Sequence, residues 1–374
     1  MTIVFVSNYF NHHQKPLCDA LWDLTGGNFC FVQTRPMGQE RKDLGYHQDD
    51  LPEYILSSWE NRGKCLELVE QADAVIAGSA PEDLLKARIK AGKLTFRYCE
   101  RILKKGPQIL KFLPRYLRLR RNNPQGKPLY LLCAGGYVAS DFRKFGLFRN
   151  RAYRWGYFPA GRNHPDFAGL LAAKKPHSIL WAGRLIAWKH PELALEAVRI
   201  LRDQGYVFTL DVVGAGPMET MLREQISRLG LTSEVRLLGP MPPEEVGYHM
   251  EKSQIFLCTS DRNEGWGAVV NEAMNAGCAL VVSHQVGAAP YLIEHGKNGL
   301  LFRSGDATSL AAGIREYLEN PELQKSVAVQ ACHTIQNRWN AELAAKRLIE
   351  LIRHLQQGEI WPELWESGPL SREG

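Results

Sequence analysis

The sequence predicts an α/β protein made of two doubly wound domains of parallel sheet. Three observations point there. Short apolar runs alternate with amphipathic stretches through both halves of the chain, loops rich in Gly, Asn and His open just after several of those runs, and 374 residues suit two domains better than one. The chain is 45% hydrophobic and 23% charged, which supplies enough apolar material for a sizeable core and argues against a disordered or fibrous class.

The N-terminal run MTIVFVSNYF has no basic residues ahead of it and turns polar after Val6, so it reads as a first strand rather than a signal peptide. No apolar run approaches the ~20 residues a membrane span needs. The eight cysteines, at 18, 30, 65, 99, 133, 258, 278 and 332, show no C-x-x-C and no ligand spacing. Buried thiols in a reducing compartment are expected, with neither disulfides nor zinc.

Ile3–Val6, the loop Asn8–Gln14 and the amphipathic Leu17–Leu24 form the opening strand–loop–helix unit. Asn11, His12, His13 and Gln14 fall at a strand's carboxyl end, where they either hydrogen-bond substrate hydroxyls or cap the helix. Strands follow at Phe29–Val32, Ala74–Ala77 and Leu94–Phe96. Glu100 and Arg101 lie just past the last of these, as acceptor-side groups of a cleft or as an ion pair at a helix start. From Arg101 to Lys127 the chain carries nine Lys or Arg and no Asp or Glu, interleaved with Ile, Leu, Phe and Tyr. Such a stretch is a solvated helix face, a contact for an anionic membrane surface, or a site for nucleic acid. No helix-turn-helix, RNA-binding or zinc motif accompanies it, so no nucleic-acid partner is expected. Leu129–Cys133 is a further strand, and the crossing between domains is expected near Gly156–Pro159. The first domain then covers 1–158, and the Gly-, Asn-, Pro- and Lys-containing stretch 159–176 reads as a linker.

The second domain, 177–340, repeats the alternation. Strand Ser178–Ala182 leads into the loop Gly183–His190, and Pro191 stands where a helix accepts proline in its first turn. Arg184 and Lys189 in that loop either clamp a diphosphate or are solvated charges. Strand Phe208–Val213 is followed by Gly214 and Gly216, a Gly-x-Gly that admits a ligand or merely shapes the turn. Strand Val235–Leu238, helix Pro243–Lys252 and strand Ile255–Cys258 precede DRNEGWGAVVNEAMNA, residues 261–276. There Gly265 and Gly267 permit close backbone approach, and the first amides of the following helix suit an anion. Glu264 and Glu272 lie eight residues apart, and a rise of about 1.5 Å per residue separates them by roughly 10–12 Å, the span of a nucleotide sugar from ribose to hexose. Two solvated glutamates are the plain alternative. Strand Ala279–Val282 and helices Ala307–Glu319 and Ala341–Gln356 complete the pattern. The segment 341–374 ends in a tail with Trp361 and Trp365, too aromatic to be purely solvated and expected to pack back on the first domain.

Taken in order, GRLIAWKHPELALEAV, VVGAGP, EGWGAVVNEAMNAG and KNGLLF, over residues 178–345, resemble the retaining family 4 glycosyltransferases of GT-B fold. FNHHQKP and GYVASDFRKFGLF resemble bacterial members that build surface polysaccharides. The resemblance implies two Rossmann-like domains facing a central cleft. It implies that Arg184 and Lys189 contact the donor diphosphate, that Glu264 and Glu272 hold the donor sugar and the ribose, and that Gly265, Trp266, Gly267 and Ala268 offer backbone N–H groups. Gly183, Gly214 and Gly216 are then beside the donor. The chain departs from the family in three places: Asn11-His12-His13-Gln14 replaces the usual Gly-Gly, Gly267 stands where proline is common, and no H-G or H-D histidine appears near the acceptor, which leaves Glu100 for that role. No D-x-D occurs. The implied activity is a retaining, metal-independent hexosyl transfer from a nucleotide diphosphate sugar, of UDP type, to a saccharide or lipid-linked acceptor. No cofactor is expected beyond the nucleotide sugar, and the expected place is the cytoplasm, peripheral at the inner face of the plasma membrane. A GT-B nucleotide-sugar epimerase and a non-catalytic nucleotide-sugar-binding protein are the alternatives.

Overall fold

Chain contacts divide the protein into two units, 1–160 together with 339–374, and 161–338. The computed structural model describes residues 1–38, 51–104, 106 and 109–373. Residues 39–50 of the expected first domain, Lys105, Pro107 and Gln108 of the basic stretch, and the final Gly374 lie outside the described residues.

The first unit holds a seven-stranded sheet in which every described pairing is parallel. Its strands are β1 (Ile3–Ser7), β2 (Phe29–Gln33), β3 (Ile55–Ser57), β4 (Ala74–Ala77), β5 (Thr95–Cys99), β6 (Leu129–Ala134) and β7 (Ala152–Trp155), in the order β3-β2-β1-β4-β5-β6-β7. Sheets covered on both faces need unbroken apolar strands, and Ile3, Val4, Phe5 and Val6 are all buried. The helices are α1 (Lys15–Leu24), α2 (Arg62–Gln71), α3 (Lys86–Ala91), α4 (Ile109–Asn122) and α5 (Val138–Arg143). The edge strands β3 and β7 were not expected. One is only three residues long, and the other carries Arg154, whose backbone pairs with the chain's end.

The second unit holds six parallel strands, β8 (Lys175–Ala182), β9 (Thr209–Val213), β10 (Val235–Gly239), β11 (Ser253–Cys258), β12 (Ala279–Ser283) and β13 (Leu300–Phe302). Their order is β10-β9-β8-β11-β12-β13. Helices α6 (Phe167–Ala172), α7 (Pro191–Asp203), α8 (Glu219–Arg228), α9 (Pro243–Lys252), α10 (Ala268–Asn275), α11 (Ala289–Leu292), α12 (Ala307–Glu319) and α13 (Pro321–Asn337) surround them. Ile179, Leu210, Ile255, Val281 and Leu300 from five strands meet Leu195, Val198, Leu310 and Ile314 from α7 and α12 in one core.

The stretch 159–176 is not a simple linker. It contains α6, capped by Asp166, whose Oδ1 accepts from the Gly169 amide at 2.8 Å, and the start of β8. Lys174, polar on paper, is buried and donates to the carbonyls of Met250, Ser253 and Ala276, each at 2.9 Å. An ammonium satisfied by three carbonyls fastens the segment to the second unit.

The chain then returns. Helix α14 (Ala341–Gln356) packs against α1, and the tail lines the first sheet. Tyr130 Oη donates to the Ile360 carbonyl at 2.7 Å, Arg372 lies 4.3 Å over Trp361, and Arg347 lies 5.0 Å over Trp365. All eight cysteines are free thiols, six of them buried. Among the described residues no helix is long and apolar enough to cross a membrane.

Candidate active site

In a doubly wound sheet, ligands bind beyond the carboxyl ends of the strands where the strand order reverses. In the second unit that point lies between β8 and β11, which run side by side with Leu180 opposite Phe256 and Trp181 opposite Leu257. The loops 183–190 and 259–267 leave the sheet there. Trp181 Nε1 donates to Thr259 Oγ1 at 2.8 Å, and the Thr259 hydroxyl donates to the Lys189 carbonyl at 2.6 Å. The Asp261 amide donates to the Trp188 carbonyl at 3.0 Å. These ties bring Lys189 Nζ to 2.7 Å from Glu264 Oε2, with the two side chains only 15% and 13% exposed. Ser260 Oγ donates to the same oxygen at 3.1 Å.

Two features of the first loop shape its charge. A Cβ on Gly183 would stand 3.2 Å from Lys189 Cδ, so glycine there makes room for the lysine stem. The Trp188 ring lies near both cations, 5.1 Å from Lys189 Nζ and 5.8 Å from the Arg184 guanidinium carbon. Arg184 has no carboxylate partner among the described residues. Trp188 was not singled out from the sequence, although an aromatic between two cations was the signal. His190, also unremarked, has a φ of 49° at the head of α7. Its Nδ1 is 2.8 Å from Glu192 Oε1 and its Nε2 is 3.4 Å from Asp261 Oδ2. The bond to Glu192 raises its pKa against the opposing effect of burial.

The glycines divide by role. A Cβ on Gly214 would stand 1.9 Å from the Gly183 carbonyl oxygen, and one on Gly216 would stand 2.4 Å from that of Leu185. The amides of Gly183 and Gly214 donate to Val213 and Gly239. Close crossing of the two loops accounts for these glycines, and the amides of Gly183 and Gly214 are engaged within the fold. Trp266 likewise has a fully buried ring, with Nε1 donating to Asn271 Oδ1 at 2.8 Å, so its side chain braces the turn. The Gly265 carbonyl runs against Gly287, where a Cβ would be 1.7 Å away. Gly267 has a φ of 94° at the head of α10, a conformation closed to the proline common at this position. The amides of Ala268 and its neighbours open the helix without partners inside it.

Glu272 sits in the second turn of α10. Burial pushes its carboxyl up to about 7, with the Lys189 charge pulling the other way. Lys189 therefore acts on both glutamates, by contact on Glu264 and through its field on Glu272.

In the first unit the acceptor-side candidates also gather, around a residue read from the sequence only as part of the crossing. The rings of His12 and His13 lie 4.0 Å apart, and His13 stacks on Tyr157 at 6.3 Å. Tyr157 Oη donates to Glu100 Oε1 at 2.7 Å, while Lys104 holds the other oxygen at 2.6 Å. Asn11 shapes the turn into α1, its Oδ1 accepting from the His13 amide at 3.0 Å. Gln14 heads that helix and makes no side-chain cap. Arg101 turns inward, 4.8 Å over Tyr137 and 3.7 Å from Asp141 Oδ2, so it is no part of a basic surface.

The family model described as Glycosyl transferases group 1 matches residues 164–333. The chain is 32% identical over 189 residues to the amylovoran biosynthesis glycosyltransferase AmsK of Erwinia amylovora, covering 49% of this chain and 46% of that protein. It is 30% identical over 209 residues to a D-inositol 3-phosphate glycosyltransferase of Corynebacterium urealyticum, covering 55% and 45%. The chain thus spans about half the length of the curated relatives it matches. The crystal structure of Anabaena Alr3699/HepE in complex with UDP superposes with a TM-score of 0.70, over 94% of this chain and 100% of that one, at 20% identity, a likeness of fold. The protein has the two-domain GT-B fold, and its residues 164–333 match the Glycosyl transferases group 1 model.

Proposed function

We propose that this protein is a retaining glycosyltransferase that moves a hexose from a UDP-sugar to a saccharide or lipid-linked saccharide acceptor in surface-polysaccharide assembly, working in the cytoplasm. The observation that carries the reading is the Lys189–Glu264 pair at the reversal point of the second sheet. An ammonium has three donors, and one serves Glu264, which leaves two for phosphate oxygens. Arg184, without a carboxylate partner, adds a second cation beside Trp188. Together with the opening amides of α10 they offset the diphosphate charge, and no divalent ion is required of the site. Glu264 and Glu272 accept hydrogen bonds from the sugar and the ribose hydroxyls. As the glycosidic bond to the diphosphate lengthens, charge builds on the leaving oxygen and an oxocarbenium-like sugar forms. The acceptor hydroxyl enters on the same face and passes its proton to a donor phosphate oxygen. The amylovoran role named for AmsK and the UDP named for Alr3699/HepE support the polysaccharide and nucleotide parts of the reading.

The test is turnover of UDP-sugars with saccharide and lipid-linked acceptors in the presence of EDTA, with the product anomer read by NMR. Lys189→Ala and Arg184→Ala should each lower kcat by about 10²–10³, the cost of losing one preorganised charge in a dry site. Near-normal turnover in both variants refutes the clamp. An isomer formed from donor alone would instead mark an epimerase, and nucleotide-sugar binding with no turnover would mark a non-catalytic partner.

A further inference from the structure

One face of α4 is not used by packing within the first unit. Tyr116 and Leu119 turn inward onto the cluster of Leu131, Phe142 and Phe145, and Phe112 stacks on Phe145 with ring centroids 4.9 Å apart. On another face stand Leu113 and Leu117, one turn apart and 63% and 58% exposed. A helix facing only water carries polar groups at such positions. Here the leucines are flanked by arginines, and none of the four arginines of α4 pairs with a carboxylate among the described residues. Arg115 donates to the Ile102 carbonyl at 3.3 Å, and Arg120 lies 5.6 Å over Tyr116.

A cavity of about 210 Å³ opens where α4 ends, and Lys127, Arg149 and Arg151 line it with no Asp or Glu. Arg120 reaches the same rim, its Nη1 3.5 Å from where a Cβ on Gly146 would stand. Lys127 Nζ and the Arg151 guanidinium each spend a donor on a backbone carbonyl, while Arg149 is exposed and without an ion pair among the described residues. The negative pole of α4 points toward this end, and Arg120 and Arg121 in its last turn offset it. The exposed leucines thus stand on the helix whose C-terminal end meets the acid-free cationic cavity.

We propose that α4 and this cavity form a docking surface for an anionic phospholipid membrane, with Leu113 and Leu117 entering the acyl boundary and a lipid phosphate seated by Arg149, Lys127 and Arg120. Nucleic acid, the other polyanion, is recognised on single strands by aromatic stacking, and leucines give bases no stacking partner. The surface deepens the transferase reading by bringing the enzyme to where a lipid-linked acceptor resides. It is read by binding alone, so the two can fail separately.

The protein should co-sediment with vesicles of equimolar phosphatidylcholine and phosphatidylglycerol, not with phosphatidylcholine alone, and salt should weaken the binding. The double variant Leu113→Ser/Leu117→Ser should reduce partition more than tenfold, since each buried leucine is worth at least that much. Arg149→Ala should reduce it about fivefold, the worth of one cation at such a surface. Unchanged melting and UDP binding in these variants shows that the fold is intact. Equal sedimentation with neutral vesicles, undiminished binding by the folded leucine variant, or tighter binding to a homopolymeric RNA than to the anionic vesicles overturns the proposal.

Discussion

Glu272 is a site carboxyl whose chemistry its surroundings alter strongly. Its carboxyl is pushed up to about 7 by burial, above its ordinary value of 4.5. The fold therefore favours the protonated form, and the stability this group contributes is present at low pH and lost as pH rises through about 7. Ligand binding runs in the opposite direction, because a carboxylate accepts from two ribose hydroxyls better than a carboxylic acid does. We expect UDP affinity, measured by titration calorimetry, to rise as pH passes upward through about 7. Glu272→Gln should flatten that rise and bind roughly 10- to 150-fold more weakly above it, the loss of one charge-assisted hydrogen bond of about 1.5–3 kcal/mol. His190 also has a raised pKa through its bond to Glu192, and the Gln variant separates the two because it leaves His190 in place. A variant that keeps the wild-type profile removes Glu272 from the nucleotide site. The sequence spacing showed that Glu264 and Glu272 share one loop–helix element. It could not show that Lys189 binds one and biases the other, since that depends on how two distant loops meet.

At the scale of elements, the site depends on a cross-tie more than on either loop. Thr259 takes the Trp181 indole N–H and gives its hydroxyl proton to the Lys189 carbonyl, so it sets the height of Lys189 above the sheet. Thr259→Val keeps the volume and leaves a buried donor and a buried acceptor unpaired, at about 1–3 kcal/mol each. Melting of the second unit should fall by roughly 2–4 °C per kcal/mol, and kcat should fall with it, while Thr259→Ser should restore both. Loss in Val without rescue in Ser would mean that the methyl, not the hydroxyl, matters. Such ties were illegible in the sequence because their partners lie far apart in the chain. The central strands were legible because burial on both faces leaves them as continuous apolar runs, as in Ile3–Val6 and Ala279–Val282. The short edge strands β3 and β7 and the helix α6 lacked that mark. Lys174 made the last look like a linker, although a lysine that finds three carbonyls can be buried. Gly214 shows the same limit, since a glycine that admits a ligand and one that admits another loop are written identically.

At the scale of the whole molecule, the chain's two ends fold as one body, and the end of the chain stabilises its beginning. The tail adds to the edge of β7. The Arg154 amide donates to Ser371 at 2.9 Å, the Leu370 amide donates to Arg154 at 2.7 Å, and the Glu373 amide donates to Ala152 at 2.9 Å. Leu370 is buried, and Tyr153, also buried, bonds the Pro362 carbonyl. Removing 357–374 frees these backbone groups and takes away Leu370, whose burial alone is worth about 1.5–3 kcal/mol. The second unit, 161–338, contributes none of these contacts. Scanning calorimetry of the truncated chain should therefore show the transition of the first unit falling while that of the second stays in place. UDP at about 100 times its dissociation constant should still raise the second transition by the equivalent of roughly 2.7 kcal/mol. If truncation lowers both transitions together and abolishes the UDP shift, the two units are not thermodynamically separate. If neither transition moves, the tail is no part of the first unit's stability.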